Sequence, residues 1–319
     1  MARRPRDTSW PPDPEPLPRP VVDNHTHLDT ILAETDGVGW RPGDDGAADG
    51  SEGLTRPDAT VVDHLARAAA AGVDRVLTVG CDLPAIAWTL DAVGDHPVVG
   101  AVAIHPNEAV LHAGVREVAP DGLAPHPRAH HDVPLDEAIA QVAAAARADR
   151  IRAIGETGLD HFRAGEQGRA VQVEAFRAHV ALAKELGLPL QIHDRDAHAA
   201  VLEVLARDGA PERTVMHCFS GDAALARHCV AQGWYLSFAG TVTFGSARDL
   251  RAALHEVPVD RLLLESDAPY LAPHPHRGRP NAPYLVAATA RAVAAELGTG
   301  LEDLAAAVSR TSEELYGPW

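Results

Sequence analysis

Apolar and polar positions follow two different periods along this chain. Short runs rich in Val, Ile and Leu occupy 21–28 (VVDNHTHL), 75–80 (RVLTVG), 98–106 (VVGAVAIHP) and 151–160 (IRAIGETGLD). Four more lie at 188–195 (LPLQIHDR), 213–220 (RTVMHCFS), 234–242 (WYLSFAGTV) and 261–271 (RLLLESDAPYL). Brief β-branched runs of this kind, bounded by Gly, Pro or polar residues, read as strands. The intervening segments carry helical period. Segment 170–187 places Val173, Phe176, Val180 and Ala183 on one face and stops at Gly187. Segment 58–72 has Asp58 as a cap and Gly72 as a stop, and a last helix is predicted around 301–316. Eight strands alternating with helices predict an α/β fold, a (β/α)8 TIM barrel, formed by 21–319 as a single domain.

Three segments fall outside this alternation. Residues 1–20 hold seven prolines and no apolar period, so they are expected to form an extended or disordered arm. Residues 36–57 hold six glycines and four aspartates, and 107–134 carries His112, His126, His130 and His131 among prolines. Both follow strand ends and are expected as expanded loops on the rim where barrel active sites lie. Lacking strand positioning, those four histidines are expected to face solvent.

Composition narrows the class without naming a function. Of 319 residues, 46% are hydrophobic and 23% charged, a balance that can bury a core and excludes wholesale disorder. Three cysteines (Cys81, Cys218 and Cys229) are too few and odd in number for a disulfide framework. No apolar run approaches the roughly 18 residues needed to span a bilayer. The N-terminus begins with arginines but meets prolines where a signal peptide needs an apolar stretch. These features predict a cytoplasmic monomer with no membrane attachment and no obligate protein partner. Lys and Arg number 28 against 45 Asp and Glu, a net charge of −17, which disfavours broad adhesion to nucleic acid. A nucleic-acid substrate held at a metal site stays compatible, because bound cations invert the local field.

The candidate chemistry gathers at predicted strand ends. His25 and His27 are two apart on the first strand and share a face, as do Asp23 and Asp29 by the same alternation. His105 ends the third strand, Glu156 lies on the fourth, and His193, His217 and Asp267 follow on the fifth, sixth and eighth. Separate strands would deliver them to one rim, and imidazole with carboxylate is the mixture that holds Zn, Mn, Ni and related ions. Arg195, two after His193, is a candidate for a phosphate oxygen. Arg277 and Arg279 are expected in a solvated loop. Cys218 is expected to be a buried small apolar residue on the opposite strand face.

The blocks DNHTHLD (23–29), AIHPNE (103–108), AIGETGLD (153–160), QIHDR (191–195), HCFSG (217–221), ESDAPYL (265–271) and HRGRPNAPY (276–284) resemble the signature blocks of the TatD metal-dependent hydrolases. They occur in order over about 21–316. The resemblance implies a binuclear site on a (β/α)8 barrel that hydrolyses phosphodiesters, often as a deoxyribonuclease, with DNA as substrate. It implies His25, His27 and Asp267 on one divalent cation and His193 and His217 on a second, with Glu156 bridging both and His105 meeting a substrate phosphate. The cations would be Mg, Mn or Zn. Asp267, a ligand with a free oxygen, is the expected base; Glu156 is the expected bridge, with both oxygens committed. Many relatives have a second histidine where this chain has Asn107, which implies a weaker, uncharged phosphate contact there.

Barrel hydrolases that bridge their metals with a carbamylated lysine are excluded, because Lys184 is the only lysine and falls in a helical pattern. A deacylase of D-aminoacyl-tRNA or a small-phosphoester hydrolase would use the same site, and a metal-loaded binding protein is the non-enzymatic rival. Aromatic residues at 4%, with no basic stripe between them, give no support to stacking-type single-strand binding.

Overall fold

The computed structural model describes residues 9–35, 61–94 and 97–319. In chain order the elements are β1 (Val21–Thr26), α1 (Leu28–Thr35), α2 (Val61–Ala70), β2 (Val73–Gly80), α3 (Leu83–Ala92), β3 (Val98–Val102), α4 (Pro106–His112), α5 (Leu135–Ala145), β4 (Ile151–Asp160) and α6 (Glu166–Leu186). They continue as β5 (Leu190–Arg195), α7 (His198–Asp208), β6 (Thr214–Met216), α8 (Ala223–Ala231), β7 (Tyr235–Phe238), α9 (Arg248–Leu254), β8 (Leu262–Leu264), α10 (Val286–Leu297) and α11 (Leu301–Tyr316). The eight strands are parallel and pair in sequence order, β1 to β8.

Closure of the barrel between β8 and β1 relies on side chains as much as backbone. The Asp267 N–H donates to the His25 carbonyl at 2.9 Å and the His27 N–H to that of Ala268 at 2.7 Å. Buried Asp23 accepts from the Ser266 N–H (2.8 Å) and hydroxyl (2.5 Å), and Asn24 Nδ2 donates to the Leu264 carbonyl at 2.8 Å. Burial pushes the Asp23 carboxyl up to about 8 against the lowering effect of the Ser266 bonds. This seam carries the first and last candidate ligands.

Alternation within the strands divides the core in two. Val76, Val98, Val102, Ile154 and Ile192 face the helices and pack with Phe176, Val180 and Ala183 of α6. Residues of opposite parity, including Leu77, Val79, Val99, Ala101, Ala153, Val215 and Leu263, fill the barrel and meet Leu315 and Tyr316 at the end of α11. Arg75 and Arg213, at the starts of β2 and β6, bond to α11, so that helix lies across the N-terminal ends of the strands. The opposite end is left for the site.

Several boundaries differ from those read off the chain. β6 and β8 have only three residues each, and β3 ends at Val102 rather than running to 106. Cys218, Asp267 and Leu271 have φ of 42°, 51° and 55°, which ends extended backbone where apolar composition alone suggested it continued. α6 matches the predicted face and stops at Gly187, whose φ of 62° is the left-handed conformation that glycine adopts at no steric cost. The Asp58 cap and the 36–57 loop lie outside the described residues.

Segment 107–134 is not one open loop. It contains most of α4 and a 3-10 turn at Ala129–Asp132. Glu117 within it accepts from the Gly168 N–H at 2.7 Å, fastening the segment to the start of α6. His126 is exposed, but His112 and His131 are each only 5% exposed. That corrects the expectation that these histidines face solvent: the helix and turn give them buried positions that strand logic does not supply.

The described part of the N-terminal arm has no regular structure, yet it is held to the barrel. Leu17 is buried and its N–H donates to the Ala71 carbonyl at 3.0 Å. The Tyr284 hydroxyl donates to the Pro11 carbonyl at 2.8 Å, and Arg291 reaches the carbonyls of Glu15 and Pro16. Arg279 donates to Ser9 and Trp10 and is half-buried, so it serves the arm rather than a solvated loop. Arg277 is exposed, over the Phe244 ring.

Candidate metal centre

The candidate residues converge at the C-terminal mouth of the barrel, with Glu156 at their centre. Its Oε1 lies 3.5 Å from His105 Nε2 and 3.9 Å from His27 Nε2. Its Oε2 lies 2.6 Å from His217 Nε2, 3.4 Å from His193 Nδ1 and 3.7 Å from His25 Nε2. Both oxygens therefore face histidines brought in by different strand–helix units. Asp267 Oδ1 stands 3.5 Å from His27 Nε2 and 4.0 Å from His25 Nε2. The His25 and His217 rings stack with centroids 3.9 Å apart.

Backbone geometry explains how one glutamate reaches five histidines. Gly155 and Gly158 flank it on β4, close against β5. A Cβ on Gly158, where φ is 145°, would sit 2.1 Å from the His193 carbonyl oxygen, and one on Gly155 would meet Gln191 Cβ at 2.5 Å. Only glycine lets the two strands approach this closely. His217 and Asp267 lie just past the ends of β6 and β8, where the chain turns inward.

Each ring is held by a partner on its far side. His25 Nδ1 faces Gln191 Oε1 at 2.9 Å, while Gln191 Nε2 donates to the Asn24 carbonyl and Tyr316 hydroxyl. The amide's fixed donors make Oε1 the acceptor, so His25 carries its proton on Nδ1 and turns Nε2 inward as a lone pair. His193 Nε2 lies 3.4 Å from Asp160 Oδ2, and His217 Nδ1 lies 3.3 Å from Glu265 Oε1. Asp160, Glu265 and Gln191 were missed in the sequence. Their signal was present: Gln191 and Glu265 each precede a candidate ligand by two, the spacing that keeps strand side chains on one face. Cys81 was missed as well, with Sγ 3.6 Å from Glu156 Oε1.

Three expectations need correction. Asn107 does not point toward a phosphate; its Nδ2 donates to Asp160 Oδ2 at 3.0 Å and its Oδ1 accepts from Gln172 at 3.2 Å. Its amide is used up in bracing Asp160 behind His193. Cys218 is half-buried rather than buried, because it lies past β6 in a left-handed turn, with its N–H donating to Glu265 Oε1 at 2.6 Å. His105 is not on a strand but caps α4, its Nδ1 accepting the Asn107 N–H at 3.1 Å. Its distance to Glu156 matches those of the other histidines, so geometry alone does not separate it from the ligand set. Arg195 is half-buried, its guanidinium 4.0 Å from the Phe162 ring centroid. Lys184 bonds to the Asp208 and Gly209 carbonyls on the outside of the barrel, away from the cluster.

The charges at the mouth are strongly coupled. Burial lowers His27 and His193, but the carboxylates of Asp267 and Glu156 for the first, and Asp160 and Glu156 for the second, raise each to about 9. His217 is likewise carried well above its ordinary value, burial being outweighed by Glu156 and Glu265. Burial takes His25 well below the ordinary range and His105 to about 4. Burial raises the Glu156 carboxyl, but His217, His105 and His193 around it together hold it well below the usual carboxylate range.

This donor set fits a divalent cation. His25 Nε2 is buried and makes no hydrogen bond among the described residues, an orphaned lone pair that needs an electrophile. His25, His27 and Glu156 offer ligand atoms within 4.8 Å of one another, as do His25, His217 and Asp267, and His105, Glu156 and His193.

Comparison with known proteins agrees with the geometry. The family model described as TatD related DNase matches residues 22–317. The chain belongs to the TatD family. It is 41% identical over 302 residues to the metal-dependent hydrolase TatD of Mycobacterium tuberculosis, covering 93% of this chain and 98% of that protein. It is 38% identical over 216 residues to a protein of Cronobacter turicensis named 3'-5' ssDNA/RNA exonuclease TatD, covering 66% of this chain and 72% of that one. The crystal structure of YjjV, a TatD homologue of Escherichia coli, superimposes with a TM-score of 0.72 at 24% identity, covering 94% of this chain and 98% of that one. The protein is thus a TatD-family, metal-dependent hydrolase with the TIM-barrel fold, and no helix among its described residues is long and apolar enough to cross a membrane.

Proposed function

We propose that this TatD-family protein is a deoxyribonuclease that hydrolyses phosphodiester bonds at a binuclear site, with His25, His27 and Asp267 on one divalent cation, His193 and His217 on the other, and Glu156 shared between them. The observation that carries this reading is the position of Glu156 among the histidines, with Oε1 turned to His27 and His105 and Oε2 to His193, His217 and His25. A carboxylate so placed has no oxygen left for proton transfer and suits a bridge. Cations bound there would supply Lewis-acid polarisation of a phosphate oxygen and acidify water.

The chain's own residues account for the remaining work. Asp267 turns Oδ1 toward both His25 and His27, leaving Oδ2 to accept the proton of the water that attacks phosphorus. As the new P–O bond forms, the bond to the leaving oxygen breaks in line. His105, half-buried beside Glu156, would hold a non-bridging phosphate oxygen, and Arg195 is the second candidate for that role. Gln191, Asp160 and Glu265 fix the ring orientations of His25, His193 and His217, so the ligands do not reorganise when substrate binds. The exonuclease name carried by the Cronobacter turicensis relative supports nucleic acid as the substrate class.

The test is a direct comparison of metal-loaded protein on end-labelled single-stranded DNA and on D-aminoacyl-tRNA. Shortening of the DNA with the tRNA ester intact is the expected result. Ester cleavage with intact DNA would transfer the same residues to a deacylase.

A further inference from the structure

A second cluster of metal-ligating side chains lies outside the barrel mouth, between α4, the 3-10 turn at Ala129–Asp132 and the start of α3. Glu108 and His112 are four apart on α4 and share a face. His112 is 5% exposed, with Nδ1 2.7 Å from the Val133 carbonyl oxygen. A carbonyl only accepts, so the proton sits on Nδ1 and Nε2 presents a lone pair. That Nε2 is buried and has no hydrogen-bond partner among the described residues. A histidine with its outer N–H tied to a backbone carbonyl and its inner nitrogen unpaired is in the state that metal ligation requires.

The neighbours supply the rest of a coordination shell. His130 Nε2 lies 3.3 Å from Glu108 Oε2 and 3.9 Å from Asp82 Oδ2. Asp82 uses Oδ1 to cap α3 through the Ala85 N–H at 2.8 Å, which leaves Oδ2 free of that bond. His131 has a different part. Its Nδ1 accepts the Arg128 N–H at 2.7 Å, so its proton is on Nε2, which donates to Glu108 Oε2 at 2.6 Å and aims that carboxylate. Ligand atoms of His112, His130 and His131 lie within 4.8 Å of one another, and so do those of Asp82, Glu108 and His130. Ligands about 2.0–2.2 Å from a tetrahedral ion sit roughly 3.3–3.6 Å apart, and His130, the member common to both groups, is the side chain about which they would be drawn into one shell.

We propose that His112, His130 and Glu108, completed by Asp82, form a further cation site that takes a zinc-class divalent metal. Two imidazoles with two carboxylates match borderline ions such as Zn2+ rather than Mg2+, which prefers oxygen ligands and water. A metal here would cross-link α4, the far end of segment 107–134 and the β2–α3 junction beside the catalytic mouth. None of its ligands belongs to the barrel centre, so the site stands whatever substrate that centre cleaves.

The experiment compares wild type with the double variant H112Q/H130Q, each loaded with Zn2+, dialysed and analysed for bound metal by mass spectrometry. The wild type should retain one Zn2+ more per chain than the variant, with circular dichroism unchanged. Equal metal content in two folded proteins would overturn the site. A second measurement needs no variant: wild-type crystals soaked in Zn2+ and recorded at the zinc absorption edge. An anomalous peak between His112 Nε2 and Glu108 is the expected result. Peaks at the barrel mouth with none at His112 would overturn the site even if the variant failed to fold.

Discussion

Asp267 sits in the left-handed region, with φ of 51°. Aspartate and asparagine both tolerate that conformation better than most residues, so Asp267→Asn keeps the backbone and one ligating oxygen while removing the basic carboxylate. Turnover should fall roughly 10²- to 10⁴-fold with bound metal unchanged, as steady-state kinetics beside metal analysis would report. A fully metallated variant with normal turnover would remove Asp267 as the base. Glu156→Ala should behave differently and lower metal content, because it withdraws oxygens from every histidine pair at once. Protonation gives an independent check. His27 and His193, raised to about 9 by their carboxylate partners, are cationic at pH 7 in metal-free protein and must lose protons to ligate. Metal binding should therefore release protons at pH 7, with affinity rising as pH climbs toward about 9. Calorimetry in two buffers of different ionisation enthalpy measures this, and identical heats would contradict it. At this scale the candidate ligands were readable in the sequence because they sit on strands or just past strand ends, which the barrel brings to one mouth. Glu265 was passed over although it lies two positions before Asp267, and Asp160 because the ring it backs, His193, is on the next strand and only the distances bring the two together.

At the scale of elements, α6 does more than cover β4. His179, wholly buried on that helix, points Nδ1 at the Ala175 carbonyl (2.7 Å) and accepts the Ile104 N–H on Nε2 (3.2 Å). That second bond fixes the chain one residue before His105. Burial lowers His179 from 6.5 to about 4, so the unfolded chain binds its proton first as pH falls. The stability it contributes is full above about 6.5 and is lost between 6.5 and 4, a swing of about 3 kcal/mol. His179→Gln should lower stability at pH 7 and flatten its decline to pH 4.5, measured by urea unfolding at both values. An unchanged pH slope would contradict the assignment. Helix α6 was plain in the sequence, since a 21-residue amphipathic stretch ending in glycine leaves little ambiguity. The three-residue strands β6 and β8 were over-extended, because apolar residues continue past them into turns that bury side chains without strand backbone. The helix within 107–134 was missed because its apolar face is short and its prolines and histidines read as loop.

On the proposed function, an acidic protein of net charge −17 surrounds a mouth that takes a polyanion. Affinity for DNA must then come from the mouth itself, where bound cations would add charge that the surface lacks. The KM for single-stranded DNA should rise only weakly with salt, since few surface Lys and Arg release counterions from phosphates. A steep dependence, with a log–log slope of several, would point to an extended basic track that the described surface does not suggest. The barrel also explains why a metal-dependent hydrolase was legible from one chain: strand order brings β1, β4, β5, β6 and β8 to a common end, so candidate residues more than 200 apart in sequence, such as His27 and Asp267, meet there.

Metal-dependent cleavage of DNA is tested by stripping the protein with chelator, confirming that it remains folded, and following end-labelled single-stranded DNA before and after Mg2+, Mn2+ or Zn2+ is restored. The expected result is no cleavage when stripped, cleavage on restoration, and none from metal-loaded Asp267→Asn. Cleavage that survives chelation, or that Asp267→Asn performs at the wild-type rate, would contradict it.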